Sequence, residues 1–277
     1  MQDRYDAIIV GAGIGGLLTG NFLVRKGLRT LLLEQHSQPG GYVCGFWRQG
    51  FYFDGGDQSF GSSGLVFPIL EQLGLREAVR FVRADYRFHA PWADFKVDSL
   101  QHVQEALAGA FPAHRREIEA YFRELAPLVR GVCLFLDQPN PMVLPGWKKL
   151  AATVRLLAGH WRVLKTLGSF ARLPGEELAR RHFTDERLVE FFGRFGYRGS
   201  SALATAGAWG CWLYDYWYPV GGLQAFAELL ARSFSEHGGE VRYRTRVTGI
   251  QTEGRPLQAT GVLLEGGETL ASRFVVY

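Results

Sequence analysis

The stretch that decides the fold is Tyr5–Glu34, which reads YDAIIVGAGIGGLLTGNFLVRKGLRTLLLE. Its apolar start, Tyr5–Val10, is typical of a short buried strand, and the pattern over Leu17–Lys26 is helical and closed by a glycine. A second apolar run, Thr30–Leu33, predicts another strand, and an acid follows it. This order of strand, helix and strand predicts a βαβ unit with parallel strands.

The turn between the first strand and the helix is GAGIGG at residues 11–16, and it fits the G-x-G-x-x-G fingerprint with Gly11, Gly13 and Gly16. The first glycine permits a tight turn, the second lets the backbone approach a pyrophosphate, and the third lets the helix pack closely on the strand. The start of the helix adds N–H groups and a partial positive charge, which suit phosphates. A glycine-rich turn without a ligand is the alternative. The strands, the helix and the acid together favour a dinucleotide site.

Glu34 closes the unit, 18 residues after the last fingerprint glycine. An acid at about this spacing can accept hydrogen bonds from both hydroxyls of an adenosine ribose. Because its carboxylate would repel a 2′-phosphate, the sequence disfavours NADP.

Residues 36–60, HSQPGGYVCGFWRQGFYFDGGDQSF, bear on the choice between FAD and NAD. A nicotinamide domain would usually continue with another helix and another apolar strand. Here the PGG at 39–41 interrupts any helix, residues 51–53 form a short strand, and a second glycine pair follows at once. A glycine-paired loop so soon after the acid suits a longer cofactor, which favours FAD.

Composition excludes several classes of protein. The chain has 277 residues, of which 47% are hydrophobic and 21% charged, so it is neither disordered nor collagen-like. Lys and Arg exceed Asp and Glu by 31 − 27 = 4, which is too small an excess to imply nucleic-acid binding. The same excess is compatible with weak attraction to an anionic membrane face.

The cysteines and histidines predict neither disulfides nor a metal. Three cysteines, at positions 44, 133 and 211, form no disulfide framework and no spaced metal site, which fits a reducing compartment. The histidines are scattered, so no metal site is expected. With neither a signal peptide nor a membrane-spanning run in the sequence, we expect a cytoplasmic protein, with peripheral contact to a membrane as a variant.

Several of these motifs together resemble a known family. GAGIGG, Glu34, the PGG at 39–41 and the FDGGD at 53–57 resemble the N-terminal, FAD-binding half of the phytoene desaturase and carotenoid cis–trans isomerase family, which is related to the flavin amine oxidases. The resemblance resumes with YPVGGL at 218–223, which is similar to the family's YP-x-GG element. Residues 241–250 and 274–277 resemble its returning strands.

The resemblance implies how FAD would be held. The fingerprint glycines and Glu34 would bind it, Gly40 and Gly41 would lie near the pyrophosphate, and Gly55 and Gly56 near the isoalloxazine. Val247 would pair with the adenine through its backbone. Family members often carry Gly-Gly-Arg where this chain has Tyr42 in third place, and Arg48 is the substitute cation that we consider. The predicted cofactor-binding residues are Gly11, Gly13, Ile14, Gly15, Gly16, Glu34, Gln35, Gly40, Gly41, Arg48, Gly55, Gly56, Asp57 and Val247.

The expected fold is α/β: a Rossmann-like FAD-binding domain of the two-dinucleotide-binding type with an inserted α+β substrate domain. The expected division is 1–80 and 216–277 for the FAD-binding domain and 81–215 for the substrate domain. Because the family's enzymes usually run on for about as long again, the chain resembles a C-terminally truncated member.

The function implied is that of an FAD-dependent oxidoreductase acting on an apolar polyene, carotenoid or retinoid-like, by hydride or electron exchange with flavin. A flavin amine oxidase-like enzyme and a truncated, non-catalytic FAD-binding remnant are the alternatives. No acid–base pair stands out, so no catalytic residue is predicted; flavin itself carries the chemistry while the protein supplies orientation and a dry pocket.

Two segments of the middle region carry further predictions. Residues 148–172 predict an amphipathic helix with Leu150, Val154, Leu157, Trp161, Leu164 and Ala171 on one face and basic residues on another arc. Such a helix either lies in a membrane interface or packs on its own domain with a solvated basic face. Residues 209–218, WGCWLYDYWY, alternate as a strand would, and their aromatic side chains could line an apolar tunnel or belong to an ordinary core.

Overall fold

A computed structural model describes residues 4–57, 59–61, 63–136, 141–144, 146–193 and 199–277. Its strands and helices, in chain order, are β1 (Tyr5–Val10), α1 (Ile14–Val24), β2 (Thr30–Leu33), β3 (Gly45–Arg48), β4 (Phe51–Asp54), α2 (Ser63–Gln72), β5 (Phe81–Arg83), β6 (Arg87–Ala90), β7 (Ala93–Lys96), α3 (Leu100–Ala110), α4 (Arg115–Leu136), α5 (Gly146–Phe170), α6 (Gly175–His182), α7 (Glu186–Gly193), α8 (Ala202–Tyr214), β8 (Trp217–Pro219), α9 (Leu223–Glu236), β9 (Glu240–Arg242), β10 (Val247–Glu253), β11 (Gln258–Leu264) and β12 (Thr269–Val276).

The chain forms two compact units. The first comprises Met1–Ser59, Glu77–Phe81 and Tyr218–Tyr277, and the second Phe60–Arg76 and Val82–Trp217. Compared with the division expected from the sequence, the main difference is that residues 60–76 belong to the second unit.

The first unit is built on a six-stranded sheet in the order β10-β11-β12-β1-β2-β9. β12, β1, β2 and β9 are mutually parallel, whereas β10, β11 and β12 pair in antiparallel fashion. The βαβ unit predicted from the sequence is confirmed, and its two strands have the predicted bounds. Because the four parallel strands end at the same edge of the sheet, the loops that follow them lie side by side there.

The two helices of the first unit pack on each other through small and polar residues. At Gly20 an added Cβ would lie 3.0 Å from the ring of Phe234 in α9. Asn21 is fully buried and donates to the carbonyl of Leu230 at 2.8 Å, and the hydroxyl of Ser233 donates to its side-chain oxygen at 2.9 Å. This contact fixes α1, and therefore the glycine turn from which α1 begins.

The second unit has a helical core with a β-hairpin beside it. The hairpin of β6 and β7 turns near Pro91, and the helix breaks at Phe111 and Pro112 between α3 and α4. Aromatic side chains fill the centre: the ring of Phe192 lies 4.4 Å from that of Tyr121 and 6.3 Å from that of Trp209, centroid to centroid.

The strand predicted at 209–218 is wrong. Most of this segment belongs to α8, whose start is capped by Ser201, because its hydroxyl accepts a hydrogen bond from the amide of Ala204 at 3.2 Å. A short aromatic run satisfies the alternation of a strand and the spacing of a helix equally well, and the alanine-rich segment before it supplies the helix propensity. The tunnel inferred from a shared strand face therefore loses its basis: Trp209 lies in the core, and Tyr214 is exposed.

Within the described residues, no helix has the length and apolar character needed to cross a membrane. The same residues bring together no group of three or more His, Cys, Asp or Glu side chains able to hold a metal ion.

Candidate cofactor site

The ends of β1 and β2 bring the first two predicted elements of the site together. The amide of Gly11 donates to the carbonyl of Leu33 at 2.7 Å, so the glycine turn and Glu34 leave the sheet side by side. The Glu34 side chain is buried, and its two carboxylate oxygens accept from the amides of Ala12 at 2.7 Å and His36 at 2.8 Å. Since each carboxylate oxygen can accept more than one hydrogen bond, acceptor capacity remains for ligand hydroxyls.

Each of the three fingerprint positions favours glycine for a different structural reason. Gly11 has φ +100°, a conformation that favours glycine. At Gly16 a Cβ would collide with the carbonyl oxygen of Gly11, so this glycine allows α1 to pack against the end of β1. At Gly13 a Cβ would meet nothing within 4 Å, so its backbone faces open space. Gly13 also caps α1 without a side-chain hydrogen bond, which leaves the start of the helix accessible to an anion.

A cavity of about 350 Å³ lies beyond the carboxyl edge of β1 and β2. Its position is fixed by the loop after β9, because the amide of Thr245 donates to the carbonyl of Glu34 at 2.8 Å. It is lined by Val10, Gly11, Leu33, Glu34, Gln35, Thr245, Arg246, Val247 and Tyr277. The cavity thus brings together predicted site residues from two distant segments of the sequence: the βαβ unit near the start of the chain and Val247 near its end.

The PGG loop lies directly against the fingerprint. Gly40 has φ +126°, and its amide donates to the carbonyl of Ala12 at 2.8 Å. At Gly41 a Cβ would lie 3.3 Å from the Cα of Gly13. The backbones of the two glycine-rich segments therefore lie against each other.

The second glycine pair extends the hairpin of β3 and β4 towards this loop. The amide of Gly55 donates to the carbonyl of Cys44 at 2.7 Å, and the amide of Asp57 to that of Tyr42 at 2.9 Å. A second cavity, of about 610 Å³, is lined by His36, Ser37, Gln38, Gly41, Tyr42, Cys44, Gly55 and Gly56.

The remaining predicted residues have less defined positions in the site. Ile14 begins α1 and is half-buried, and Gly15 next to it is exposed. Asp57 is exposed at the end of the hairpin. Arg48 is exposed and pairs with Phe51 at the turn end of the hairpin, three residue pairs from Gly45 and Asp54. Its role as a substitute cation stays a prediction.

Sequence reasoning missed Asp54, which joins the hairpin to the YPVGGL segment. Its carboxylate accepts from the hydroxyls of Tyr52 and Tyr218, both at 2.9 Å, and from the amide of Leu223 at 3.3 Å. Burial and the hydrogen bond to Asp54 raise the pKa of Tyr218 to about 12. Burial also raises the pKa of Tyr52, to which the Asp54 hydrogen bond contributes.

Gln224 is the second residue that the sequence did not reveal. Its side-chain oxygen accepts from the amide of Gly45 at 3.0 Å, and its nitrogen donates to the carbonyl of Pro39 at 3.3 Å. One side chain of α9 thereby fixes both the PGG loop and the start of β3. The signal available in the sequence was position only: Asp54 directly precedes the glycine pair at 55–56, and Gln224 lies two residues after the pair at 221–222.

With this geometry established, comparison with known proteins identifies the family. The family model described as flavin containing amine oxidoreductase matches residues 14–277. The chain belongs to this family. The match begins within the fingerprint turn, just after Gly13, and continues through the second unit and the returning strands.

Similar proteins include carotenoid enzymes. The chain is 27% identical over 285 residues to the lycopene-forming phytoene desaturase of Pantoea ananas, covering 96% of this chain and 54% of that protein. It is 27% identical over 293 residues to the chloroplastic prolycopene isomerase of Daucus carota, covering 99% and 46%. The chain thus spans about half the length of the curated relatives it matches. In fold it is similar to an oxidoreductase from Methanosarcina mazei, with a TM-score of 0.57, 15% identity, and coverage of 97% of this chain and 57% of that one.

Membership of a flavin-containing family identifies the cofactor as FAD, and the residues fit it in three respects. The open backbone at Gly13 and the uncapped start of α1 suit a diphosphate. Glu34 has free acceptor capacity beside a cavity that suits a ribose and an adenine. Val247 borders the same cavity.

Proposed function

We propose that this chain provides the FAD-binding part of an oxidoreductase whose substrate is an apolar polyene of the carotenoid type. The observation that carries the proposal is similarity along nearly the whole chain to a phytoene desaturase and to prolycopene isomerases, on a sequence that retains the complete glycine and acid set of the flavin site. A carotenoid desaturase and a carotenoid isomerase are both within this proposal.

The residues of the site would share the work of holding the cofactor. The backbone at Gly11, Gly13 and Gly41 would bind the diphosphate, and Glu34 would bind the adenosine ribose through its remaining lone pairs. Gln224 and Asp54 would keep the loops in position through the hydrogen bonds described above. When bound, FAD supplies hydride or electron exchange, which no side chain provides.

The first test is binding of FAD by the purified chain. We expect a flavin spectrum that survives gel filtration after reconstitution and that is lost in Glu34→Arg, because the substituted cation removes the acceptor for the ribose. Glu253→Arg, at an exposed acid on β10, is the matched control and retains the flavin. Failure of the wild-type chain to retain FAD would contradict the proposal for this chain.

The second test separates the two activities. The flavin-loaded protein is incubated with phytoene and with prolycopene in lipid vesicles, and the products are analysed by chromatography and mass spectrometry. A desaturase lowers the mass of phytoene by pairs of hydrogens and lengthens its conjugated system. An isomerase changes the retention of prolycopene and leaves its mass unchanged. Turnover of putrescine, with no change in either polyene, would instead favour the amine oxidase alternative.

A further inference from the structure

Helix α5, in the second unit, presents a stripe of large apolar side chains to solvent. Each member of the stripe is more than half exposed, which is unusual for side chains of this size. They are Trp147 (75% exposed), Leu150 (67%), Val154 (56%), Leu157 (52%) and Trp161 (57%).

The stripe is one continuous face of α5. A different face holds the helix in place. Successive members lie three or four residues apart, as on one side of an α-helix. Beyond the bend at His160, another side of the helix packs on α4: a Cβ added at Gly131 would lie 3.1 Å from Val163 and 3.2 Å from Leu167. The helix bends at His160, where φ is −130°, so Trp161 begins its second arm. Because α5 is already anchored by its other face, the exposed stripe serves something outside the unit.

The charges on α5 indicate what kind of partner its apolar stripe contacts. Residues 138–175 contain no Asp or Glu. Five exposed cations lie on α5, namely Lys148, Lys149, Arg155, Arg162 and Lys165. Three of them, Lys148, Arg155 and Arg162, recur every seven residues and therefore form a row along one side of α5, about a quarter of a turn round from the stripe. The guanidinium of Arg162 lies 5.8 Å from the ring centre of Trp161, so cation and aromatic face outwards together.

We infer that α5 is an interfacial helix that docks the protein on the surface of an anionic lipid bilayer. The apolar stripe enters the boundary between headgroups and acyl chains, and the row of cations binds lipid phosphates. Trp147 and Trp161 stand at the two ends of the stripe, which suits the preference of tryptophan for this boundary. A second copy of the chain is a poorer partner, because the two helices would bring five cations each to the same interface.

The inference goes beyond the proposed function, and its test requires neither flavin nor substrate. The 277-residue chain is mixed with vesicles of phosphatidylcholine alone or of phosphatidylcholine with phosphatidylglycerol, and the bound fraction is measured by flotation. We expect wild-type protein to float with the anionic vesicles and to be released by salt. The double variant Trp147→Glu, Leu150→Glu should bind at least about tenfold more weakly, because each apolar side chain left out of the bilayer weakens binding.

The chain offers a closely matched control. Trp47→Glu removes a tryptophan that is 73% exposed on β3 of the first unit and adds the same charge. It should leave vesicle binding unchanged. Replacing Lys148, Arg155 and Arg162 by Gln should lower binding to the anionic vesicles and abolish the preference for them. Because all the substituted residues are exposed, circular dichroism and urea unfolding should match the wild type.

Two results would overturn the inference. One is equal flotation of the wild type and the Trp147→Glu, Leu150→Glu variant, or an equal loss in Trp47→Glu, which would reflect general stickiness. The other is a dimer in sedimentation without lipid that the same double variant dissociates while its flotation is unchanged. That outcome would assign the stripe to contact between two copies of the chain.

Discussion

The same substitution, glycine to alanine, is expected to have different consequences at Gly13 and Gly16. At Gly16 the new methyl would strike the carbonyl oxygen of Gly11, so α1 must move away from β1, and we expect a loss of about 1–3 kcal/mol in the free energy of unfolding. At Gly13 the backbone has φ −67° and open space around it, so apo stability should change by no more than about 0.5 kcal/mol.

For the affinity for FAD we expect the opposite order, with the larger loss in Gly13→Ala. The methyl of Gly13→Ala would occupy the space expected for the diphosphate, so we expect its Kd for FAD to rise at least about tenfold. Urea unfolding of the apo protein and flavin titration by fluorescence measure the two effects separately. A Gly13→Ala variant that binds FAD as the wild type does would remove the diphosphate from this position.

At the level of single residues, sequence reasoning finds positions where only one residue type fits. Glycines that need a positive φ or a close approach, such as Gly11 and Gly16, belong to a fingerprint with fixed spacing and are therefore visible in the sequence. Asp54 and Gln224 are different: the contacts that join them to other elements lie more than 160 positions away in the chain, at Tyr218 for Asp54 and at Gly45 and Pro39 for Gln224. Such hydrogen bonds exist only once the elements are assembled, and no local pattern predicts them.

At the scale of elements, the hydrogen bond between Asp54 of β4 and Tyr218 of the YPVGGL segment predicts that the free energy of unfolding depends on pH. Because the pKa of Tyr218 is raised to about 12, the folded protein holds a proton that the unfolded chain releases near its usual pKa of about 10. This contribution to stability is fully present below about pH 10 and is lost as the pH rises towards 12. We therefore expect the free energy of unfolding of Tyr218→Phe to fall less steeply than that of the wild type across this range.

Urea unfolding at successive alkaline pH values tests this prediction. Tyr214→Phe, which removes an exposed phenol from α8, is the control and should follow the wild-type slope. Identical slopes for Tyr218→Phe and wild type would mean that Asp54 does not hold the hydroxyl of Tyr218 in solution.

The contact between α1 and α9 predicts a large cost for losing one buried amide. Asn21→Leu would remove the acceptor of the Ser233 hydroxyl and of the Arg25 guanidinium and the side-chain donor to the carbonyl of Leu230, and a buried polar group that loses its partner costs about 1–3 kcal/mol. We expect a fall of that order in the urea-derived free energy of unfolding. Gln101→Leu, on the exposed side of α3, should change it by no more than about 0.5 kcal/mol. An Asn21→Leu variant as stable as the wild type would show that the helices repack.

Prediction of elements succeeded where two signals coincided and failed where one stood alone. β1 and β2 were marked by apolar runs near glycines and have the predicted bounds, whereas α1, predicted over Leu17–Lys26, covers Ile14–Val24. At 209–218 alternation alone favours a strand, whereas the cap at Ser201 begins a helix eight residues earlier. The amphipathic helix at 148–172 was found, but the sequence could not reveal that its apolar face is the exposed one.

For the whole molecule, the division into two units places the candidate site in one of them. Every residue that lines the two cavities of the candidate site belongs to the first unit. The second unit has a separate core, centred on Tyr121, Phe192 and Trp209. The sequence allowed this α/β architecture with an inserted helical region to be predicted, because the fingerprint at one end and the returning strands at the other enclose it.

If the two units unfold independently, FAD should stabilise only the first. A ligand at about 100 times its Kd stabilises the state that binds it by about 2.7 kcal/mol, which slows exchange through unfolding about a hundredfold. We expect this slowing for amides of β1 and β2 and none for amides of α4 and α7, measured by hydrogen–deuterium exchange with and without FAD. Gly13→Ala should abolish the difference at the same flavin concentration, because the flavin would no longer be held. Equal slowing in α4 would instead mean that the two units unfold together, so that FAD binding stabilises the second unit as much as the first.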